Sequence, residues 1–201
     1  MIPDDDMMRT ILTVSGEVEA AATPRCVCAR FELIREQDTP VLLGTAFALQ
    51  GKAIGRHLTK ADKCIVLAAT LGVGVDTIVR RYQAASPHRA LIADACANAL
   101  IEDFCDQIQE AAKTATCGEA QMLTSRFSPG YSDMPLETHD WLLPLLDTNR
   151  KIGLFKTPQQ LLTPMKSVTA FMGIVPRLEN RNRSFCANCT ENTRCQYKGN
   201  T

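Results

Sequence analysis

The chain has 201 residues, with Lys plus Arg and Asp plus Glu balanced at 22 each, 45% hydrophobic and 22% charged residues. That length suits one domain with an appended tail, and a balanced surface makes no field to gather a polyanion, so no nucleic-acid partner is expected. No segment approaches the ~20 apolar residues of a membrane span, and Met1-Ile2-Pro3-Asp4 lacks the basic and apolar regions of a secretory signal, so the expected location is cytoplasmic. Nine cysteines, an odd number in a chain read as unexported, argue against a disulfide framework. Cys28, Cys64, Cys96, Cys105 and Cys117 sit in apolar or helical context and read as small buried hydrophobes.

Residues 7–23 read as a weakly helical or frayed entry. Arg25 to Ile34 is rich in strand formers, Gln37-Asp38-Thr39-Pro40 is a turn signal, and Val41 to Leu49 reads as a second strand, so the two form an antiparallel hairpin. Lys52 to Thr59 is a short helix with Ile54 and Leu58 on one face. Cys64 to Thr70 is an uninterrupted apolar run of strand length, which predicts a central strand buried on both faces. Gly72-Val73-Gly74-Val75-Asp76 then leads into a helix through about Ala85. A dinucleotide fingerprint would need a third glycine, and position 77 is Thr, so the glycines serve the turn.

Ser86-Pro87 opens the longest helix, to about Thr114, with Ser as N-cap and Pro at the first helical position. Ile92, Cys96, Leu100, Ile101, Phe104, Cys105 and Ile108 form its apolar stripe. Asp94, Glu102, Asp103 and Asp106 fall mostly outside that stripe, as a solvated acidic face would. A strand from Glu119 to Arg126 follows and then breaks, because Pro129 presets φ and Gly130 accepts positive φ. The loop Leu123 to Pro135 presents one guanidinium, Arg126, and one phenol, Tyr131. The first is a planar fork suited to a carboxylate and the second an aromatic face with a hydroxyl tip. Glu137 to Leu146 reads as a helix packing through Trp141, Leu142, Leu145 and Leu146; His139 on it has no second metal-ligand type at suitable spacing. Lys166 to Val175 is the last strand.

Three separated stretches together resemble one family. The loop Arg126-Phe127-Ser128-Pro129-Gly130-Tyr131 is similar to the R-x-x-P-G-Y motif in the activation (reactivation) domain of cobalamin-dependent methionine synthase. Gly153 through Ala170, ending Leu162-Thr163-Pro164-Met165-Lys166-Ser167-Val168-Thr169-Ala170, resembles that family's L-T-x-x-x-x-M-x-P-x-x-S-V-S-G stretch. His57-Leu58 and Ala68 through Asp76 resemble the smaller members that occur as separate chains. The resemblance covers roughly residues 45–175 and implies an α+β single domain over 1–180, with a mixed, largely antiparallel sheet, followed by a Cys-rich tail at 181–201.

What the family does is implied with it. S-adenosylmethionine (vitamin B12 chemistry's methyl donor here) would be bound, and cob(II)alamin on a partner protein would accept one electron and be trapped by methyl transfer from that donor. By the resemblance, Arg126 grips the ligand's carboxylate, and Pro129 and Gly130 present backbone groups to it. Tyr131 packs beside the methyl donor at the catalytic position. Asp94 and Glu102 match acidic residues on the cleft-facing helix. The implied partners are a cobalamin-bearing methionine synthase or related corrinoid protein and a low-potential electron donor such as a flavodoxin or ferredoxin. The pattern departs from the family near Ser184 and Phe185, where aromatic ligand contacts are expected, and no residue matches the family's N-terminal aspartate contact.

The tail carries Cys186-x2-Cys189-x5-Cys195. Two thiolates two residues apart and a third nearby form a candidate soft site for zinc or an iron–sulfur cluster, with a fourth ligand not adjacent. This leaves a second expectation from another class, a metal- or cluster-binding accessory protein of corrinoid metabolism without a methyl-transfer role. No nucleophile–base pair is evident, and His57, His88 and His139 lie far apart in the chain.

Overall fold

A computed structural model describes residues 4–177. The fold is built on the apolar run foreseen as the central strand. β3 (Lys63–Thr70) lies in the middle of a five-stranded sheet whose order is β2-β1-β3-β7-β4, with β1 Arg25–Glu36, β2 Thr39–Leu42, β4 Gln121–Leu123 and β7 Ser167–Pro176. Every named strand pair is antiparallel. Successive side chains of a strand point to opposite faces, so β3 feeds two cores. Ile65, Leu67 and Ala69 join Val14, Val18, Val75, Ala93, Ala97, Ile101 and Cys105 on one face, whereas Cys64, Val66 and Ala68 join Leu42, Ile54, Met134, Leu142 and Phe171 on the other.

Helices cover both faces. The first core lies under α1 (Asp5–Ala21), α3 (Val73–Ala85) and α4 (Pro87–Thr116), and the second under α2 (Lys52–His57), α5 (His139–Leu146) and α6 (Thr148–Ile152). A 3-10 turn at Leu136–Thr138 leads into α5, and a two-stranded ribbon, β5 (Phe155–Lys156) and β6 (Leu162–Thr163), completes the regular elements of the described residues.

The α+β class, the β1–β2 hairpin, the buried central strand and the long capped helix are as expected. Ser86 does cap α4, accepting from the Arg89 backbone N–H. Five expectations change. The frayed entry is a 17-residue helix, α1, whose N-cap Asp4 accepts from Met7 N. The second strand is only Thr39–Leu42, because Leu43, Thr45 and Leu49 turn back to bond Glu32, Leu42 and Pro40 carbonyls. The strand before the loop shortens to Gln121–Leu123. Helix α6 and the β5–β6 ribbon are additions. Cys28 is exposed rather than buried, although it pairs with Leu67 and so points, with Cys26, to the first-core side of the sheet.

Candidate functional site: a cleft between helix α4 and the Arg126 loop

The shortening of β4 builds the site. Leu123 pairs with Ile174 and Phe127 pairs with Phe171, so four steps along one strand oppose three along β7. Thr124 still donates its N–H to the Gly173 carbonyl, which confines the extra residue to Ser125–Arg126. Such a bulge re-aims a side chain. Here it turns Arg126 out of the ladder and toward α4.

The Arg126 side chain is 18% exposed, and its guanidinium is gripped from α4. Arg126 Nη2 donates to Glu102 Oε2 at 2.7 Å, and Nη1 donates to Asp106 Oδ1 at 2.7 Å and Gln109 Oε1 at 3.3 Å. Residues 102, 106 and 109 lie at helical spacings of four and three, so they share one face. Burial works against the guanidinium's charge, but the hydrogen bonds and charges of Asp106 and Glu102, with Cys105 close by, hold its pKa above the ordinary arginine value. Glu102, Asp106, Gln109, Ser125, Arg126, Ser128 and Val168 line an open cleft of ≈ 450 Å³.

The same α4 face continues toward its N-terminus. Lys166, in the Leu162–Ala170 stretch, donates to Asp94 Oδ1 at 2.6 Å and Asn98 Oδ1 at 2.8 Å. Asp94, Asn98, Glu102 and Asp106 therefore form a polar stripe at four-residue intervals, tied to the sheet-side loops by two cations. Asp103 lies off it, holding Gln107 instead. The Lys166 segment is itself fixed by Asp76, whose Oδ2 accepts the Met165 N–H at 2.9 Å from a nearly fully buried position at the start of α3.

Beyond Arg126 the loop wraps over the sheet edge into the second core. Phe127 is buried there, and the Tyr131 ring meets it edge-on, with centroids 5.5 Å apart and planes at 88°. Tyr131 is nevertheless 65% exposed. The tight turn holds itself: Tyr131 N–H donates to Ser128 O at 3.1 Å, and Gly130 N–H to Met134 O at 2.9 Å. Gly130 has φ 85°, and a Cβ there would come within 2.8 Å of Leu136 Cδ2, so glycine answers both a positive φ and a close approach. Pro129 has no N–H and the Gly130 N–H is taken, which leaves carbonyl oxygens as the backbone groups these two residues can offer.

His139 is buried beneath the sheet, with Nε2 2.9 Å from Thr169 Oγ1, and burial lowers its pKa below the ordinary histidine value. Cys186, Cys189 and Cys195 lie outside the described residues. Among the described residues, no cluster of three His, Cys, Asp or Glu side chains is arranged to hold a metal ion, and no helix is long and apolar enough to cross a membrane.

The loop and the Lys166 stretch that frame the cleft fall within residues 15–180, all of which match the family model described as vitamin B12 dependent methionine synthase, activation domain. The chain belongs to that family. Among solved structures, it is similar to a crystal structure of the MetH reactivation domain bound to AdoHcy, with a TM-score of 0.64 and 17% identity over 87% of this chain and 67% of that one. That likeness establishes that the activation-domain fold is shared. No curated protein matches the chain.

Of the residues singled out in the sequence, Arg126 and Glu102 meet directly, Asp94 lies further along the same helix face, and Pro129, Gly130 and Tyr131 follow on the loop. Asp106, Gln109 and Lys166 were missed as site residues. The only advance signal for Asp106 was the four-residue spacing of Asp94, Asn98, Glu102 and Asp106 beside the apolar stripe of α4; Gln109 and Lys166 fall outside that series.

Proposed function

We propose that this activation-domain protein binds S-adenosylmethionine in the α4 cleft and supports reductive methylation of cob(II)alamin on a cobalamin-dependent methionine synthase or related corrinoid protein. The observation that carries the proposal is Arg126, half-buried and held between Glu102 and Asp106 in an open cleft, in a chain of the activation-domain family.

The donor set fits the ligand. An amino-acid end needs a cationic fork for its carboxylate and an acceptor for its ammonium, and Arg126 supplies the first while Glu102 and Asp106 supply the second. The fixed charges lining the cleft are one guanidinium against two carboxylates, a net of −1. S-adenosylmethionine carries a sulfonium, an ammonium and a carboxylate, a net of +1, so the cleft complements the methyl donor and not only its amino-acid end. S-adenosylhomocysteine lacks the sulfonium charge.

The work of the chain's own residues is to bind and orient. Arg126 arrives already desolvated and aimed, so little ordering is needed on binding. Glu102 and Asp106 hold it there until a carboxylate takes part of its fork. Tyr131, exposed on the loop five residues past Arg126, is assigned the role of covering one side of a ligand while leaving the reacting group open; it rests on Phe127 and is not itself among the residues lining the cleft. The chemistry supplied by the bound groups is transfer of a methyl from sulfur to cobalamin reduced by one electron, and that electron comes from a separate low-potential donor. A corrin is too large and flat to enter a ≈ 450 Å³ cleft, so it must be brought to the rim by another protein or domain. Calorimetric titration of the protein with S-adenosylmethionine tests the reading: saturable binding that Arg126→Ala abolishes supports it, and equal binding by wild type and Arg126→Ala contradicts it.

A further inference from the structure

We infer that the short helix α2 is a clamp that fixes the conformation of the Arg126–Tyr131 loop from behind, with His57 and Asp133 as positioning residues. The inference rests on the ligand-binding role proposed for that loop, but its geometry is independent of any ligand.

The two ends of α2 grip the two ends of the loop. At the C-terminal end, His57 Nε2 lies 2.9 Å from the Ser125 carbonyl and 2.9 Å from Thr124 Oγ1. A carbonyl only accepts, so Nε2 carries the proton and donates. Thr124 Oγ1 in turn accepts the Gly173 N–H at 2.9 Å, which ties this contact to the sheet beside the bulge that re-aims Arg126. At the N-terminal end the direction reverses. Asp133, two residues past Tyr131, reaches back and accepts the Lys52 N–H at 2.7 Å through Oδ2 and the Ala53 N–H at 3.0 Å through Oδ1. Those amides are orphan donors of the first turn, and a carboxylate from elsewhere in the chain satisfies two of them. Their hydrogen bonds hold the Asp133 carboxyl below the ordinary carboxylate range.

Two further features belong to the same device. Gly51 precedes α2 with φ 123°, and a Cβ there would lie 3.0 Å from Asp133 Oδ1 and 3.1 Å from its carbonyl oxygen, so any side chain would push the loop away. Between the anchors, the His57 ring packs on Phe127 at 5.2 Å, and Phe127 supports Tyr131. His57 thus reaches the carbonyl next to Arg126 and, through one ring, the exposed tyrosine. Neither His57 nor Asp133 lines the cleft, so both act through the loop.

The test pairs amide hydrogen exchange over residues 125–134 with calorimetric titration by S-adenosylmethionine, both on the full chain. His57→Ala and Asp133→Ala are expected to speed loop exchange and weaken binding by about five- to tenfold, the usual scale for losing a helix cap, while β3 amides stay protected. Asp133→Asn keeps a capping oxygen and His57→Gln keeps a donor, so both should recover most of the effect, which a merely bulky or charged surface role would not predict. Gly51→Ala should resemble Asp133→Ala. Loop exchange unchanged in both alanine variants overturns the clamp. So does faster exchange with wild-type affinity, because the loop's order would then be irrelevant to binding. If no variant binds, wild type included, and the exchange response persists, the ligand role falls while the clamp stands.

Discussion

Arg126 Nη2 donates to Glu102 Oε2 at 2.7 Å across twenty-four positions of sequence. With Asp106 on the other nitrogen, the contact makes a guanidinium that is half-buried, oriented and already countered by acidic groups. Arg126→Ala should therefore cost S-adenosylmethionine binding about 2–5 kcal/mol, the range for truncating one side of a desolvated charge pair. Arg126→Lys should recover only part, since a point charge cannot serve a carboxylate and two acceptors in one plane. Protein stability should change little, because Glu102 and Asp106 are well exposed and regain water. Titration calorimetry and thermal melts on the same samples separate the two effects.

The net charge of the cleft makes a second expectation. S-adenosylmethionine should bind more tightly than S-adenosylhomocysteine, and the difference should shrink as salt rises. Glu102→Gln removes one of the two negative charges and should narrow the preference while leaving Arg126 its Asp106 partner. Competition titrations at two ionic strengths read this directly; an unchanged preference in Glu102→Gln would show that charge does not set it.

Tyr131 is exposed and rests on Phe127 by its ring edge, so its hydroxyl is not what holds it. Tyr131→Phe should keep most of the methylation rate supported with a corrinoid partner. Tyr131→Ala, which removes the covering surface, should be clearly slower while melting close to wild type. Rates for the two variants, measured beside their melting curves, distinguish a covering role from a structural one.

Much of this fold is written locally. The apolar run Cys64–Thr70 reads by its length and composition as a strand buried on both sides, and Ser86-Pro87 reads as the start of a helix whose stripe continues to Ile108. Helix α1 was harder to see because only Val14 and Val18 are fully buried in its 17 residues, although Asp4 and the acidic first turn are ordinary helix-start signals. The site is a different matter. The loop with Arg126 and Tyr131 stands out by its turn chemistry and by family resemblance, but nothing near Asp106 or Gln109 announces that they meet it. On α4 they are indistinguishable from a solvated acidic face until the bulge at Ser125–Arg126 delivers the cation to them. The bulge itself is a register mismatch with β7, forty-odd residues away, and no local pattern encodes it.

Acidification should weaken the fold through His139. Its pKa is lowered by burial in the native state, so below the ordinary histidine value of ~6.5 the unfolded chain takes up a proton that the native chain resists. The unfolded state then holds more protons, and stability falls as pH drops below that value toward the native pKa. Above it the contribution is fully present. His57 is lowered in the same sense and adds to the trend. Melting temperatures between pH 7.5 and 5 should decline for wild type, and His139→Gln should flatten part of the decline; a parallel curve for that variant would assign the effect elsewhere.

Conversion of cob(II)alamin to methylcob(III)alamin on a corrinoid protein, followed by absorption with S-adenosylmethionine and a low-potential reductant present, is the measurement closest to the central claim. No turnover is expected from this protein alone. Conversion should accelerate when wild-type protein is added, fail without S-adenosylmethionine, and fall back toward the protein-free rate with Arg126→Ala. Conversion proceeding as fast without the protein as with it, across the corrinoid proteins of the same cell, would contradict the account.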